Sequence, residues 1–322
     1  MTLRAGIDLG GTKIQSIIID DANTVLGQAR QPTPTKGGPS DVVAAMAESV
    51  RAAAAAAKVE PSALAGVGLG SPGSIDNAAG TVASARNLPN WIEPYPVAAD
   101  LRTRLGVERV GIGNDVDVAT DAEFAVGVAK PFSSILGVFW GTGVGGGIIL
   151  NGTPWNGRGS AGEIGHVVIR VGGRRCGCGR RGCMEAYAGR MSMERRARKL
   201  HKKGRKTDLF RIMEARDRPR LTSGVWWRAI EHHDELATEL VEEAIEALGA
   251  GVASALNVLD VEAVVIGGGM GVRFGEPYAR RIEAAMMPHL FSSANPPRVL
   301  LAGLGDLGGA IGASLLVADT AG

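Results

Sequence analysis

The sequence predicts two related α/β domains that face a cleft. The chain has 322 residues, which is about twice the length of a common single domain. Two segments, one starting near Gly6 and the other near Ser134, each begin with a β-hairpin that has a glycine-rich turn. Both segments then continue into alternating strands and helices, although no fixed-period repeat accompanies this likeness.

The apolar pattern places the elements in chain order. Aliphatic and β-branched runs between turn residues predict strands over Gly6–Leu9, Ile14–Asp20, Val25–Gln31, Gly66–Leu69, Val110–Gly113, Ser134–Trp140, Gly147–Leu150, Glu262–Ile266 and Arg298–Ala302. Helical spacing of apolar residues predicts helices over Ser40–Lys58, Val97–Leu105, Val118–Val128 and Glu235–Asn257. Basic helices extend to about Arg216, and a Gly/Ala-rich helix ends the chain.

The composition is typical of a soluble globular protein. Hydrophobic residues make up 45% of the chain, charged residues 21%, and the formal net charge is +2. No apolar run approaches the roughly 20 residues that a membrane-spanning helix needs. The N-terminus lacks the basic and apolar regions of a secretory signal. We therefore expect a cytoplasmic protein without a membrane partner.

Positive charge is concentrated in one segment, Arg170–Arg220, which we call the basic block. It contains 18 Lys or Arg residues and 5 Asp or Glu residues. Such a block could contact a polyanion, but a solvated, arginine-rich helix face explains it equally well. We do not predict a nucleic-acid partner from it.

Three glycine-rich turns follow apolar strands, at Gly10, Gly141 and Gly267. Glycine lets a backbone approach a ligand closely, and successive N–H groups in such turns bind anions. One such turn more often simply closes a hairpin. Three turns in one chain, one of them with Lys13 and another with Thr142, indicate a nucleotide site.

One of these turns matches a dinucleotide fingerprint, but its context is wrong. Gly141, Gly143 and Gly146 have the G-x-G-x-x-G spacing, and Glu163 follows after about 20 residues, as that motif requires. The fingerprint also needs a helix directly after the turn, whereas a strand is predicted there. We therefore reject a Rossmann domain. A Walker-type phosphate loop is also missing, so separate turns must assemble the phosphate site.

A cluster of zinc-type ligands gives the densest signal in the sequence. The four residues are His166, Cys176, Cys178 and Cys183. They would complete a closed tetrahedral site, which makes the zinc structural, because no position is left for water. The alternative is a reduced, buried thiol cluster. The metal loop would also hold Glu163 and Glu185 rigidly, and the two carboxylates with the imidazole N–H suit a polyhydroxylated ligand.

Three motifs together resemble the ROK family of sugar kinases and sugar-responsive repressors. They are D-x-G-G-T-K at Asp8–Lys13, E-x-G-H at Glu163–His166 and C-x-C-G-x-x-G-C-x-E at Cys176–Glu185. The resemblance extends from Gly6 to about Ala313 and is strongest to the ATP-dependent glucokinases of that family. It implies an actin-like ATPase (ribonuclease H-like) fold with sugar and ATP in an interdomain cleft. The implied small domain comprises residues 1–116 and about 303–322, and the large domain comprises 117–302 with the zinc loop 163–185. The family also suggests a homo-oligomer, a dimer or a tetramer.

The resemblance assigns roles to particular residues. Asp115 would be the general base, and Asp8 would hold Mg²⁺ through water. The implied sugar contacts are Gly73, Asn87, Asn114, Asp115, Glu163, His166 and Glu185. The implied ATP contacts are Asp8, Gly10, Gly11, Thr12, Lys13, Gly141, Thr142 and Gly143 at the phosphates, and Gly267, Gly268 and Gly269 at the adenosine.

The expected reaction is ATP-dependent phosphorylation of the 6-hydroxyl of glucose. Polyphosphate as donor, and mannose, fructose, allose or an N-acetylhexosamine as acceptor, are the alternatives within the family. A sugar-sensing repressor is disfavoured because the first strand starts at Ala5 and leaves no room for a helix-turn-helix. A zinc-binding scaffold without activity would leave the Asn114-Asp115 pair unexplained.

Overall fold

A computed structural model describes residues 2–85, 87–292 and 294–318 of the chain. Two compact units divide the chain between Gly127 and Val128 and again between Ala302 and Gly303. The first unit therefore contains both ends of the described chain, and the second is continuous. The domain limits expected from the resemblance stay a prediction, and their residues 1 and 319–322 lie outside the described residues.

The strands and helices follow the apolar pattern of the sequence. The strands are β1 (Arg4–Leu9), β2 (Lys13–Ile19), β3 (Val25–Pro32), β4 (Gly66–Ser71), β5 (Ser74–Asp76), β6 (Thr81–Ala83), β7 (Val110–Asn114), β8 (Ile135–Trp140), β9 (Val144–Leu150), β10 (Thr153–Pro154), β11 (Ala263–Gly267) and β12 (Arg298–Leu301). The helices are α1 (Pro39–Ala57), α2 (Val97–Leu105), α3 (Asp115–Ala125), α4 (Glu185–Ala188), α5 (Arg190–Lys202), α6 (Leu209–Ala215), α7 (Ser223–Glu231), α8 (Glu235–Leu259), α9 (Gly268–Met286) and α10 (Gly308–Leu315).

The two units contain five-stranded sheets with the same strand plan. The first sheet has the order β3-β2-β1-β4-β7, and the second has the order β10-β9-β8-β11-β12. In each sheet the first three strands form an antiparallel meander, and the other two run parallel to its innermost strand. The predicted likeness of the two halves is therefore confirmed at the level of topology.

Helix α10 packs directly on the sheet of the first unit through two glycines. A Cβ on Gly6 would collide with the carbonyl of Ala310, and one on Gly68 would collide with the carbonyl of Ala313. The central strands β1 and β4 are buried almost throughout, because helices cover both faces of the sheet.

Within the described residues, no helix has both the length and the apolar character to cross a membrane.

Three features differ from the sequence-based expectations. Helix α3 begins at Asp115, three residues before the predicted start, because Asn114 caps it. Helix α7 was not predicted; Thr222 caps it through a bond from the Val225 N–H. The short strands β5, β6 and β10 were also missed, since two- and three-residue strands leave no periodic signal.

Candidate active site

The carboxyl ends of three parallel strands bring polar residues together in the first unit. In the register of these strands, Asp8 lies opposite Gly70, and Asn114 lies opposite Ser71. Asp115 follows Asn114 as the first residue of α3. Asp8 and Asp115 therefore lie at one edge of the sheet, where open α/β sheets bind their ligands.

Both of these carboxyl groups have a raised pKa and are therefore weaker acids than an exposed aspartate. Burial raises the pKa of Asp115 to about 6, and the negative charge of Asp8 acts in the same direction. Burial likewise raises the pKa of Asp8, although the positive charge of Lys13 opposes this. A carboxylate with a pKa near 6 is a stronger base than an exposed aspartate and is still ionised at neutral pH.

Asn114 caps the helix that carries Asp115. Its Oδ1 accepts hydrogen bonds from the N–H of Val116 (2.9 Å) and of Asp117 (3.4 Å). Asp117 lies inside the first turn of this helix. Because Asn114 caps the helix, Asp115 is not needed as a cap. The Nδ2 group of Asn114 can still donate to a ligand.

The turn between β1 and β2 offers donors to an anion. The Gly10 N–H closes the turn by donating to the Lys13 carbonyl at 2.9 Å. In the part of the chain that the structure describes, the N–H groups of Gly11 and Thr12 have no acceptor. The Lys13 ammonium lies 3.1 Å from Asp306 Oδ1, in a pair whose side chains are 24% and 71% exposed. Such an exposed pair is weak and can be exchanged for a phosphate.

Two of the residues implied as sugar contacts lie in loops of the first unit: Asn87 contacts the turn between β1 and β2, and Gly73 lies between β4 and β5. Asn87 is exposed and packs against Gly11, where an added Cβ would lie 3.1 Å from Asn87 Nδ2. Gly73 has a φ of +103°, and its backbone lies against the Ala83 carbonyl. Gly73 therefore has a conformational reason to be glycine, whatever it contacts.

Two glycine turns adjoin each other in the second unit. The turn Gly141–Gly143 follows β8, and Gly267–Gly269 joins β11 to α9. Because β8 and β11 are parallel neighbours, the two turns lie at one edge, and a Cβ on Gly141 would be 3.7 Å from the Gly269 nitrogen. Within the described chain, the N–H groups of Thr142 and Gly143 have no acceptor.

The predicted zinc ligands converge. One ligand atom from each of His166, Cys176, Cys178 and Cys183 lies within 4.8 Å of all the others. The Sγ atoms of Cys178 and Cys183 are 3.8 Å apart, as are Cys176 Sγ and His166 Nδ1. A tetrahedral ion with zinc–sulfur bonds of about 2.3 Å requires sulfur–sulfur distances of about 3.8 Å. The donor set and its spacing therefore fit zinc.

Glu163 and Glu185 lie on different sides of this cluster. His166 Nε2 is 3.7 Å from Glu163 Oε2, whereas His166 Nδ1 faces the cysteines. Glu163 is 65% exposed and can bind a ligand. The carboxylate of Glu185 is already engaged: Oε2 accepts from the Val144 N–H at 3.1 Å, and Oε1 lies 3.5 Å from Cys176 Sγ. Its predicted contact with sugar stays a prediction.

Arg190 is a residue of this region that the sequence analysis missed. Its Nη2 donates to Thr142 Oγ1 at 2.9 Å, and its Nη1 donates to the Leu221 carbonyl at 2.8 Å. In the sequence it was one of the many cations of the basic block, several of which form ion pairs within the chain. The one signal in the sequence that could have indicated Arg190 is its location: it lies five residues after Glu185 and begins a helix.

Comparison with known proteins gives full-length matches. The sequence model of the ROK family matches residues 4–320. A glucokinase from Thermotoga maritima is 29% identical over 98% of both chains. An N-acetyl-D-glucosamine kinase from Pectobacterium atrosepticum is 32% identical over 97% of both chains. The crystal structure of a ROK family glucokinase from Streptomyces griseus in complex with glucose and AMPPNP is 29% identical, covers 98% of both chains and has a TM-score of 0.82.

Proposed function

The chain belongs to the ROK family, and we propose that it transfers the γ-phosphoryl group of ATP to the 6-hydroxyl of glucose, with Asp115 as general base. It is a sugar kinase with the actin-like ATPase fold. The observation that carries the finer proposal is the carboxyl group of Asp115, which burial brings to a pKa of about 6 at the end of β7.

The proposed chemistry needs little more than a base and positioned charges. Asp115 accepts the proton of the primary hydroxyl as that oxygen attacks the phosphorus. Asn114 fixes the backbone of Asp115 by capping the helix and offers Nδ2 to a neighbouring sugar hydroxyl. Mg²⁺, when bound with the nucleotide, neutralises charge on the triphosphate, and Asp8 is its expected ligand through water.

The donor-binding groups in this proposal are mainly backbone N–H groups. Those of Gly11, Thr12, Thr142 and Gly143 have no acceptor within the described residues, which favours an anionic ligand. Lys13 would exchange Asp306 for a phosphate oxygen. The first-turn N–H groups of α9, after Gly267, are assigned to the adenosine end of the nucleotide.

The sugar-binding groups include residues held by the proposed zinc site. If Nδ1 of His166 binds zinc, its Nε2–H is free to donate to Glu163 or to a sugar hydroxyl. Gly73, Asn87 and Glu185 complete the proposed set. Zinc would have a structural role here: with four protein ligands, its site has no open position for catalysis.

A panel of acceptors and donors tests the proposal. The acceptors are glucose, mannose, fructose, allose and N-acetylglucosamine, each with ATP–Mg²⁺ and with polyphosphate. We expect the highest kcat/KM for glucose with ATP. A higher kcat/KM for N-acetylglucosamine than for glucose would instead indicate that this sugar is the preferred acceptor, as the name of one relative has it. Turnover with polyphosphate and none with ATP would refute ATP as the donor.

Glu163→Gln is expected to weaken sugar binding selectively. The substitution keeps the shape of the side chain but removes the charge that would accept hydrogen bonds from sugar hydroxyls. We expect the KM for glucose to rise about tenfold, while the KM for ATP changes less than about twofold. Steady-state kinetics with one substrate saturating measures both. Glu214→Gln, an exposed glutamate of α6, is the control, and an unchanged glucose KM would remove Glu163 from the sugar site.

A homo-oligomer in the cytoplasm is also part of the proposal. The oligomer is supported by the resemblance to the family, and the cytoplasmic location by the composition of the chain. Light scattering on the purified protein gives the number of chains, and a monomer at micromolar concentration would refute it.

A further inference from the structure

We propose that Arg190 is a positioning residue for the donor phosphates, acting through Thr142 of the turn Gly141–Gly143. This inference rests on the proposed function and deepens it. It concerns a cation outside the motifs of the sequence analysis, and all the contacts that support it lie within the second unit.

The segment from Glu185 to Met191 occupies the acceptors of the turn. The N–H of Arg190 donates to the Gly141 carbonyl at 3.1 Å, and the N–H of Met191 donates to the Thr142 carbonyl at 3.1 Å. On the other side of the turn, Glu185 accepts from the Val144 N–H. The groups that remain unused in the turn are therefore donors, the N–H groups of Thr142 and Gly143.

Arg190 makes the Thr142 hydroxyl a donor as well. A threonine hydroxyl can donate one hydrogen bond and accept two. Because Thr142 Oγ1 accepts from the Arg190 guanidinium at 2.9 Å, its proton must point elsewhere, and the nearby charge polarises the O–H bond. The turn thus presents two N–H groups and one hydroxyl proton, a set that suits phosphate oxygens.

The guanidinium itself is held in place without a carboxylate. Its second contact is the Leu221 carbonyl, and the Leu221 N–H is in turn bound by Glu194 at 3.1 Å. No carboxylate of the described residues lies within ion-pair distance of Arg190, whereas Arg174, Arg198, Arg205 and Arg211 are all paired. Burial lowers the pKa of Arg190, although arginine remains charged at neutral pH. This half-buried positive charge adds to the field that an anion would experience at the turn.

Nucleotide binding by calorimetry tests the inference. We expect Arg190→Met to weaken binding of AMPPNP–Mg²⁺ about tenfold or more, and binding of adenosine less than about twofold, because only phosphates contact the turn. Arg190→Lys should recover part of the loss. Arg195→Met changes an exposed arginine of the same helix and should bind both ligands normally. A purely structural role would instead lower the unfolding temperature and weaken both ligands together.

A second variant protects the test against misfolding of the first. Thr142→Val removes the hydroxyl, keeps the volume and leaves Arg190 in place. It should weaken AMPPNP about as much as Arg190→Met, and the double variant should lose less than the sum, because the arginine acts through the hydroxyl. Unchanged AMPPNP affinity in both single variants, or additive losses, would overturn the inference. If the unaltered protein bound no AMPPNP at all, the proposed function itself would fail.

Discussion

Replacing Asp115 with asparagine is expected to lower kcat by about a thousandfold or more, because general-base catalysis contributes about 10² to 10⁴ and the change also removes a charge near the reacting atoms. Asparagine has nearly the same shape, so substrate binding should change little. A coupled assay of sugar phosphate formation measures kcat. Retained turnover would exclude Asp115 as the base.

Asp121 offers a matched control on the same helix. Burial, with a smaller effect of the Asp117 charge, raises the pKa of Asp121 to about 7. Asp121→Asn therefore removes a carboxyl with a similarly raised pKa from α3, but outside the proposed site. Its kcat should stay within about threefold of the unaltered protein. A comparable loss of activity in both variants would indicate damage to the helix rather than loss of a base.

The pKa of Asp115 also sets the expected pH dependence. A general base works only when it is deprotonated, so kcat/KM should fall as the pH drops through about 6. The free energy of unfolding changes with pH in the opposite direction. Because the folded pKa lies above the ordinary value of 3.8, the folded state binds the proton more tightly, and stability decreases as the pH rises from about 4 to 6. Asp115→Asn avoids this cost and should be more stable at pH 7, by up to about 3 kcal/mol.

The second large effect is expected from loss of the zinc site. Elemental analysis of the pure protein should find about one zinc per chain, and Cys178→Ser should contain almost none. Cys178 is exposed, whereas Cys176 and Cys183 are buried, so this change removes a ligand without a defect in the core. We expect a lower unfolding temperature and a fall in kcat/KM for glucose of about tenfold to a hundredfold.

A chelator provides the independent control for this prediction. Treating the unaltered protein with a strong zinc chelator should reproduce the properties of Cys178→Ser, and added zinc should restore activity only in the unaltered protein. A metal-free preparation with full activity and unchanged unfolding temperature would contradict a structural zinc at these four residues.

The elements with strong local signals were predicted well. Helix α2 was expected over Val97–Leu105 and has those limits, because the helical spacing of apolar residues is a local property of the sequence. The convergence of His166 with the three cysteines was also expected from their spacing. The start of α3 was not, since Asn114 and Asp117 are equally good caps by residue type.

Contacts between distant residues could not be predicted from the pattern. Thr142 and Arg190 are 48 positions apart, and Lys13 and Asp306 are 293 positions apart. Nothing in the local sequence of either partner indicates the other. Arg190 was hidden by its many charged neighbours, and only its position against the glycine turn separates it from a solvated surface arginine.

The division of the first unit between the two ends of the chain has a consequence for synthesis. On the ribosome, β1 and β4 emerge before the second unit, but α10, whose carbonyls lie against Gly6 and Gly68, emerges only after the whole second unit. The continuous second unit can close while the earlier sheet still exposes an apolar face. We therefore expect nascent chains to acquire protease resistance first in residues 128–302, and to need chaperone protection of the first sheet until α10 has been synthesised.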